Sequence, residues 1–249
     1  MFYTNVHLIR DDILVRGRKN NERFSHRVQY KPKLFVPSHE GDWKSIEGRS
    51  LAPIEQGSIR EARDFIRQYK DVGGFEIYGL EKFEYAYINE TWIDGVDYDR
   101  SQIVTAYIDI EVAIDKGFPK PEDALQPVTA ICIAVDGKYY VLHYGEYNVH
   151  RDDVVEVKCK DEIDLLLKFG DLWGRLDPDI LTGWNCMFFD VPYLVNRIMN
   201  KLGDKRAKQL SPWGLLIKNE REVHGKVQQS YDIVGIEILD YLDLYKKFT

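Results

Sequence analysis

A chain of 249 residues, 44% hydrophobic and with a net charge of −7, is long enough for one large domain or two modest ones and carries no global basic signature. Cys132, Cys159 and Cys186 are odd in number, widely spaced and without a C-x-x-C pair, which excludes a disulfide frame or zinc site and predicts free thiols in a reducing compartment. The first residues lack the basic-then-apolar pattern of a signal peptide and no apolar run approaches membrane length, so the expectation is a cytosolic protein with no membrane partner.

Charge is distributed unevenly. Residues 1–33 hold eight Lys/Arg against three Asp/Glu, leaving −12 on the rest. From Phe2 to Arg16 the text predicts two strands around a turn at Arg10-Asp11-Asp12, with Gly17–Glu22 as a polar turn. Phe24 to Tyr30 alternates as a third strand. A meander with interleaved basic and aromatic residues suits a single-stranded nucleic-acid platform, with Arg16, Arg18, Lys19 and Arg27 as candidate contacts. It equally suits a small sheet whose aromatics are core and whose cations are solvated. Pro32 to Pro53 reads as loop. Ser58 and Glu61 form a capping-box pattern that opens a helix through Phe65, Ile66 and Tyr69, ending at Gly73-Gly74. Phe75 to Asn89 reads as strand, and Trp92 to Asp99 as an acidic connector. A domain boundary is expected near residue 102, giving a small mixed β/α N-terminal domain (1–102) and a second unit (103–249).

The second unit opens with an apolar, β-prone run, Ile103 to Val112, that carries Asp109 and Glu111 two residues apart. On a strand this spacing sets both carboxylates on one face. They either line the wet face of an edge strand or share a hard divalent cation, since two desolvated acids repel unless something cationic joins them. Val128 to Val135, an Asp136-Gly137 turn and Lys138 to Tyr144 form a hairpin. Lys160 to Arg175 is an amphipathic helix with Ile163, Leu166, Leu167 and Trp173 inward. Ile180 to Trp184 is a short strand, and Asp190 to Leu202 a helix stopped by Gly203. Asp190, at a strand-to-helix junction, is a helix cap or a functional acid. Strand, hairpin, helix, strand, helix is an α/β order. With an Asp-x-Glu on its first strand, it matches a ribonuclease-H-like layout.

Asp109-Ile110-Glu111 and Asn185-x-x-x-Phe189-Asp190 look like the first and second exonuclease motifs of family B DNA polymerases. The chain resembles most closely the N-terminal part of the T-even-like phage members. Gly117-Phe118-Pro119, Thr182-Gly183-Trp184-Asn185, Asp190-Val191-Pro192-Tyr193 and the stretch Ile238 to Phe248 all read like that group. The resemblance implies a replicative DNA-directed DNA polymerase in the cytoplasm of an infected bacterial host, with the beginning of a DEDD-type 3′–5′ proofreading exonuclease after residue 102. It implies that Asp109, Glu111 and Asp190 bind two Mg²⁺ or Mn²⁺ ions, Asp109 bridging both. It further implies that Phe118, Asn185 and Phe189 contact the 3′ end of single-stranded DNA.

Such exonucleases carry a further acid in a Tyr-x-x-x-Asp or His-x-x-x-x-Asp motif. After Asp190 neither spacing is met from Tyr193, Tyr231, Tyr241 or His224, and Asp240 and Asp243 are the acids left in the right order. The fold is therefore expected to be incomplete. The chain is expected to be a truncated piece or one half of a split polymerase whose remainder is a partner, weak or inactive alone, with an apolar face around Ile236 to Phe248. The alternative is a module binding messenger RNA through residues 1–33, as the resembling phage polymerases do when repressing their own translation.

Overall fold

A computed structural model describes residues 1–114, 117–146, 148, 151–223 and 226–248. The chain divides into two compact units, Met1–Tyr98 and Asp99 onward.

The first unit begins with an antiparallel sheet of β1 (Phe2–Ile9), β2 (Asp12–Lys19) and β3 (Glu22–Gln29). The second turn is shorter than the sequence predicts: β2 runs through Gly17 to Lys19 and only Asn20-Asn21 turn, at φ 52° and 66°. Asn tolerates this left-handed pair, and such turns match the twist of the flanking strands. Gly17 stays in the strand because a Cβ there would strike the Phe2 carbonyl beside a bulge in β1. The expected loop from Pro32 to Pro53 is instead a second sheet, β4 (Lys33–Pro37), β5 (Trp43–Lys44) and β6 (Ser50–Glu55), in the order β4-β6-β5. Short β5 pairs only with Leu51 and Ser50, so Pro53 sits where its missing N–H costs no ladder bond on that side. Helix α1 (Ile59–Tyr69) starts as its capping box predicts, with Ser58 Oγ accepting from Glu61 N at 3.1 Å. The stretch read as strand overlaps helix α2 (Phe83–Thr91). Its alternating aromatics Phe83, Tyr85 and Tyr87 imitate a strand, but only Phe83 is buried, beside Ile13, Val15, Leu34 and Ile59.

The second unit is built on a six-stranded mixed sheet. Its strands are β7 (Thr105–Val112), β8 (Val128–Val135), β9 (Lys138–His143), β10 (Val154–Lys158), β11 (Ile180–Gly183) and, after an interruption, β14 (Glu237–Asp240). The order is β10-β9-β8-β7-β11-β14, with β8 alone running against the others. Helix α3 (Glu162–Leu176) is capped by Asp161, whose Oδ1 accepts from Asp164 N at 2.9 Å. It buries Leu165, Leu166, Phe169, Leu172 and Trp173. Ile163, expected inside, is 40% exposed, one position off that face. Helix α4 spans Asp190–Leu202 and ends at Gly203 (φ 88°), followed by α5 (Asp204–Lys208). A separate hairpin, β12 (Leu216–Val223) with β13 (Lys226–Ile233), precedes β14, and α6 (Tyr241–Phe248) follows it. Ile108, Ile110, Ile131, Leu166, Phe169 and Leu194 lie in the core of this unit. Among the described residues no helix is long and apolar enough to cross a membrane.

Candidate functional site

Strand β7 alternates cleanly. Ala106, Ile108 and Ile110 are buried, while Tyr107, Asp109 and Glu111 face solvent. Both carboxylates therefore share one face, as their spacing predicts. Strand β7 is flanked by β8 and β11 and so is not an edge strand over its whole length. Pairing with β11 ends at Tyr107↔Thr182, so Asp109 and Glu111 lie past the carboxyl end of that neighbour. The parallel strands β7, β11 and β14 all open at this end, which is where sheets of this kind leave room for ligands.

From β11 the chain turns back through Gly183-Trp184-Asn185-Cys186. Gly183 is required by space: a Cβ would lie 2.6 Å from the Ile108 carbonyl and 2.9 Å from Cys186 Cβ. Asn185 takes φ 59°, a conformation Asn adopts more readily than bulky residues. Its carbonyl accepts from Phe188 N at 3.2 Å and Phe189 N at 3.0 Å, which winds the chain into α4. Asp190 is the first residue of that helix, and no side-chain cap bond forms there. Its Oδ1 instead accepts from Ile110 N at 3.0 Å, across to the strand and between Asp109 and Glu111. Asp190 is 4% exposed, and burial together with the neighbouring Asp109 charge pushes its carboxyl up to about 7. The same burial holds the Cys186 thiol up at about 12, and all three cysteines are free. Among the described residues, no three His, Cys, Asp or Glu side chains are gathered tightly enough to hold a metal ion.

An aromatic wall adjoins the acids. Phe118, 78% exposed, packs on Phe189 at 5.8 Å between ring centroids, and Phe189 on Tyr193 at 5.8 Å. Phe118 sits on the loop after β7, whose Asp115 and Lys116 fall outside the described residues. Helix α4 pins the far side of this loop. Tyr193 Oη donates to Gln126 O at 2.8 Å, Asn196 Nδ2 to Pro121 O at 2.8 Å and Asn200 Nδ2 to Asp123 O at 3.0 Å. Arg197 Nη1 donates to Ala124 O at 3.0 Å and Leu125 O at 2.7 Å, while Nε and Nη2 clamp buried Glu162, both at 2.7 Å. None of these straps was anticipated from sequence. The Asn196, Arg197 and Asn200 spacing on one helix face is the signal that could have marked them. A second aromatic group joins Trp184 to Tyr241 and Tyr245, each at 5.9 Å, and all three rings are more than half exposed.

Of the two remaining acids, Asp243 lies exposed on α6, and Asp240 is 3% exposed with its oxygens taken by backbone amides. The apolar face expected around Ile236 to Phe248 begins later, since Ile236 is core and only Leu239 onward is exposed. In the first unit, Arg16 is fully buried within β2, so it cannot serve as a surface contact for RNA. It lies on a central strand, on the face opposite Ile13 and Val15, and a tally of charge does not show that this face is buried too. Arg27, 65% exposed, pairs with Asp12 (Nε to Oδ2, 2.7 Å), while Arg18 is half-buried and Lys19 exposed. With Arg16 buried, the messenger-RNA alternative is not favoured.

Residues 82–249 match the model of the DNA polymerase family B exonuclease domain. The chain is 33% identical over 278 aligned residues to the DNA-directed DNA polymerase of Enterobacteria phage T4, covering 100% of this chain and 31% of that one. Against the DNA-directed DNA polymerase of Escherichia phage RB69 the figures are 32% over 280, 100% and 31%. A DNA polymerase delta catalytic subunit of Caenorhabditis elegans is 29% identical over 99 residues, covering 35% of this chain and 9% of that one. The chain thus spans under a third of the length of its phage relatives. With two thirds of its residues matched by that domain, it belongs to family B of the DNA polymerases, in the region of their exonuclease domain.

Proposed function

We propose that this chain carries the carboxylate site of a 3′–5′ proofreading exonuclease that serves a DNA-directed DNA polymerase. The supporting observation is the Asp190–Ile110 hydrogen bond, which sets a buried acid beside the amide between Asp109 and Glu111. The strand order β9-β8-β7-β11-β14, with only β8 reversed, supports a ribonuclease-H-like reading of the fold. Three hard oxygen donors suit Mg²⁺ or Mn²⁺, and the raised Asp190 carboxyl is the condition that a cation relieves. Asp109 and Glu111 face solvent, where their side chains are free to change rotamer. When bound, the ions would supply Lewis acidity to the phosphodiester and acidify the attacking water.

The chain's own residues do the rest. Asp109, Glu111 and Asp190 hold the charge that keeps the ions in place. Phe118 and Phe189 offer ring faces on which unpaired bases at a DNA 3′ end stack, a contact tolerant of sequence. Asn185, held at a fixed turn, presents its amide to the terminal nucleotide. The activity belongs in the cytoplasm of an infected bacterial host, on 3′ ends frayed from primer–template DNA.

A 3′-labelled single-stranded oligonucleotide incubated with Mn²⁺ tests this. The chain should trim it slowly from the 3′ end, at rates limited by the lack of a recognisable further motif acid, and Asp109→Ala should abolish trimming. Equal trimming by the two chains would remove the proposal.

A further inference from the structure

Three backbone amides converge on one buried carboxylate at the end of β14. Asp240 Oδ1 accepts from Asn185 N at 3.0 Å and Leu242 N at 2.9 Å, and Oδ2 accepts from Met187 N at 2.9 Å. A carboxylate this deep is tolerated only when it is hydrogen-bonded, and here three backbone amides bond to it, at least one on each oxygen. Two of the donors belong to the turn that leaves β11, and sheet pairing sets Gly183 directly opposite Asp240. The turn contains the left-handed residue Asn185, and its carbonyls carry the geometry onward: Asn185 O to Phe189 N at 3.0 Å, then Cys186 O to Val191 N at 2.9 Å. Asp190 lies between those last two amides.

We propose that Asp240 is a positioning residue of the exonuclease site. Its carboxylate fixes the turn that aims Asn185 and starts the helix bearing Asp190. This rests on the nuclease reading above, and it differs from service as a metal-binding acid because the oxygens of Asp240 are already occupied. Asparagine at 240 would keep the shape but offer one acceptor oxygen and turn an NH₂ toward a backbone N–H.

The test compares the full chain with Asp240→Asn and Thr182→Val. Thr182 Oγ1 donates to Leu239 O at 2.6 Å, so its loss loosens the same strand pair without touching the turn. Amide hydrogen exchange, melting temperature and Mn²⁺-dependent affinity for a short 3′-hydroxyl oligo(dT) are read for each. In Asp240→Asn, exchange at Asn185 and Met187 should quicken and affinity should fall, each by about tenfold or more, the loss of a charge-assisted hydrogen bond. Thr182→Val should lower the melting temperature and leave both readouts unchanged. A folded Asp240→Asn with protected amides and parental affinity overturns the inference, as does an equal loss in Thr182→Val. If Asp240→Asn does not fold, the parent decides: Asn185 and Met187 amides exchanging as freely as open loop overturn it, and core-like protection supports it. Asp109→Ala, run alongside, separates the two claims. Parental oligonucleotide affinity in that variant would remove the nuclease reading, while amide exchange would still judge Asp240.

Discussion

Asp190 ionises against its surroundings, since it is buried and faces the charge of Asp109. A folded-state value near 7 lies above that of the unfolded chain. This group's contribution to stability is therefore complete below about pH 4 and is lost as pH rises through 7. Without metal, the melting temperature of the parent should decline between those limits more steeply than that of Asp190→Asn. Parallel curves would show that Asp190 is not the group responsible. Gly183 bears a different constraint at the same corner, because a Cβ would press on the Ile108 carbonyl and Cys186. Gly183→Ala should cost about 1–3 kcal/mol, as overpacking of a filled core does. Urea unfolding measures it, and an unchanged midpoint would mean that the corner relaxes freely.

Among the elements, α4 has two tasks. Its first residue carries Asp190, and its middle turns hold the loop that bears Phe118. Arg197 is central to the second task, and its fork to Glu162 is buried on both sides, at 5% and 12% side-chain exposure. Arg197→Ala leaves Glu162 buried without its partner and should destabilise the chain by about 3–5 kcal/mol. A loss under about 1 kcal/mol, the range of surface pairs, would contradict the reading of a desolvated clamp. The elements also show where sequence patterns sufficed. Strand β8, the Asp136-Gly137 turn and α4 lie where periodicity and turn chemistry predict, because local preference and burial agree there. Strands β4 to β6 and helix α2 were misread. Prolines at tolerated strand positions imitate loop, and an aromatic alternation imitates strand when most of its rings stay outside the core.

Across the whole molecule, the proposed site residues were singled out from local patterns. An Asp-x-Glu on a strand and an Asn-x-x-x-Phe-Asp before a helix each admit a structural role alone and gain meaning from their order and separation in the chain. What brings them together was not legible, since the Asp190–Ile110 bond spans 80 residues and the Asp240–Asn185 bond 55. Arg16 shows the opposite limit: a cation counted as surface in a charge tally is buried in the fold.

Calorimetric titration of the full chain with Mn²⁺ below pH 7 asks whether Asp109, Glu111 and Asp190 form one cation site. Binding should be accompanied by proton release, with the release lost in Asp190→Asn and the binding lost in Asp109→Ala. Heats and affinities unchanged in both variants would contradict it.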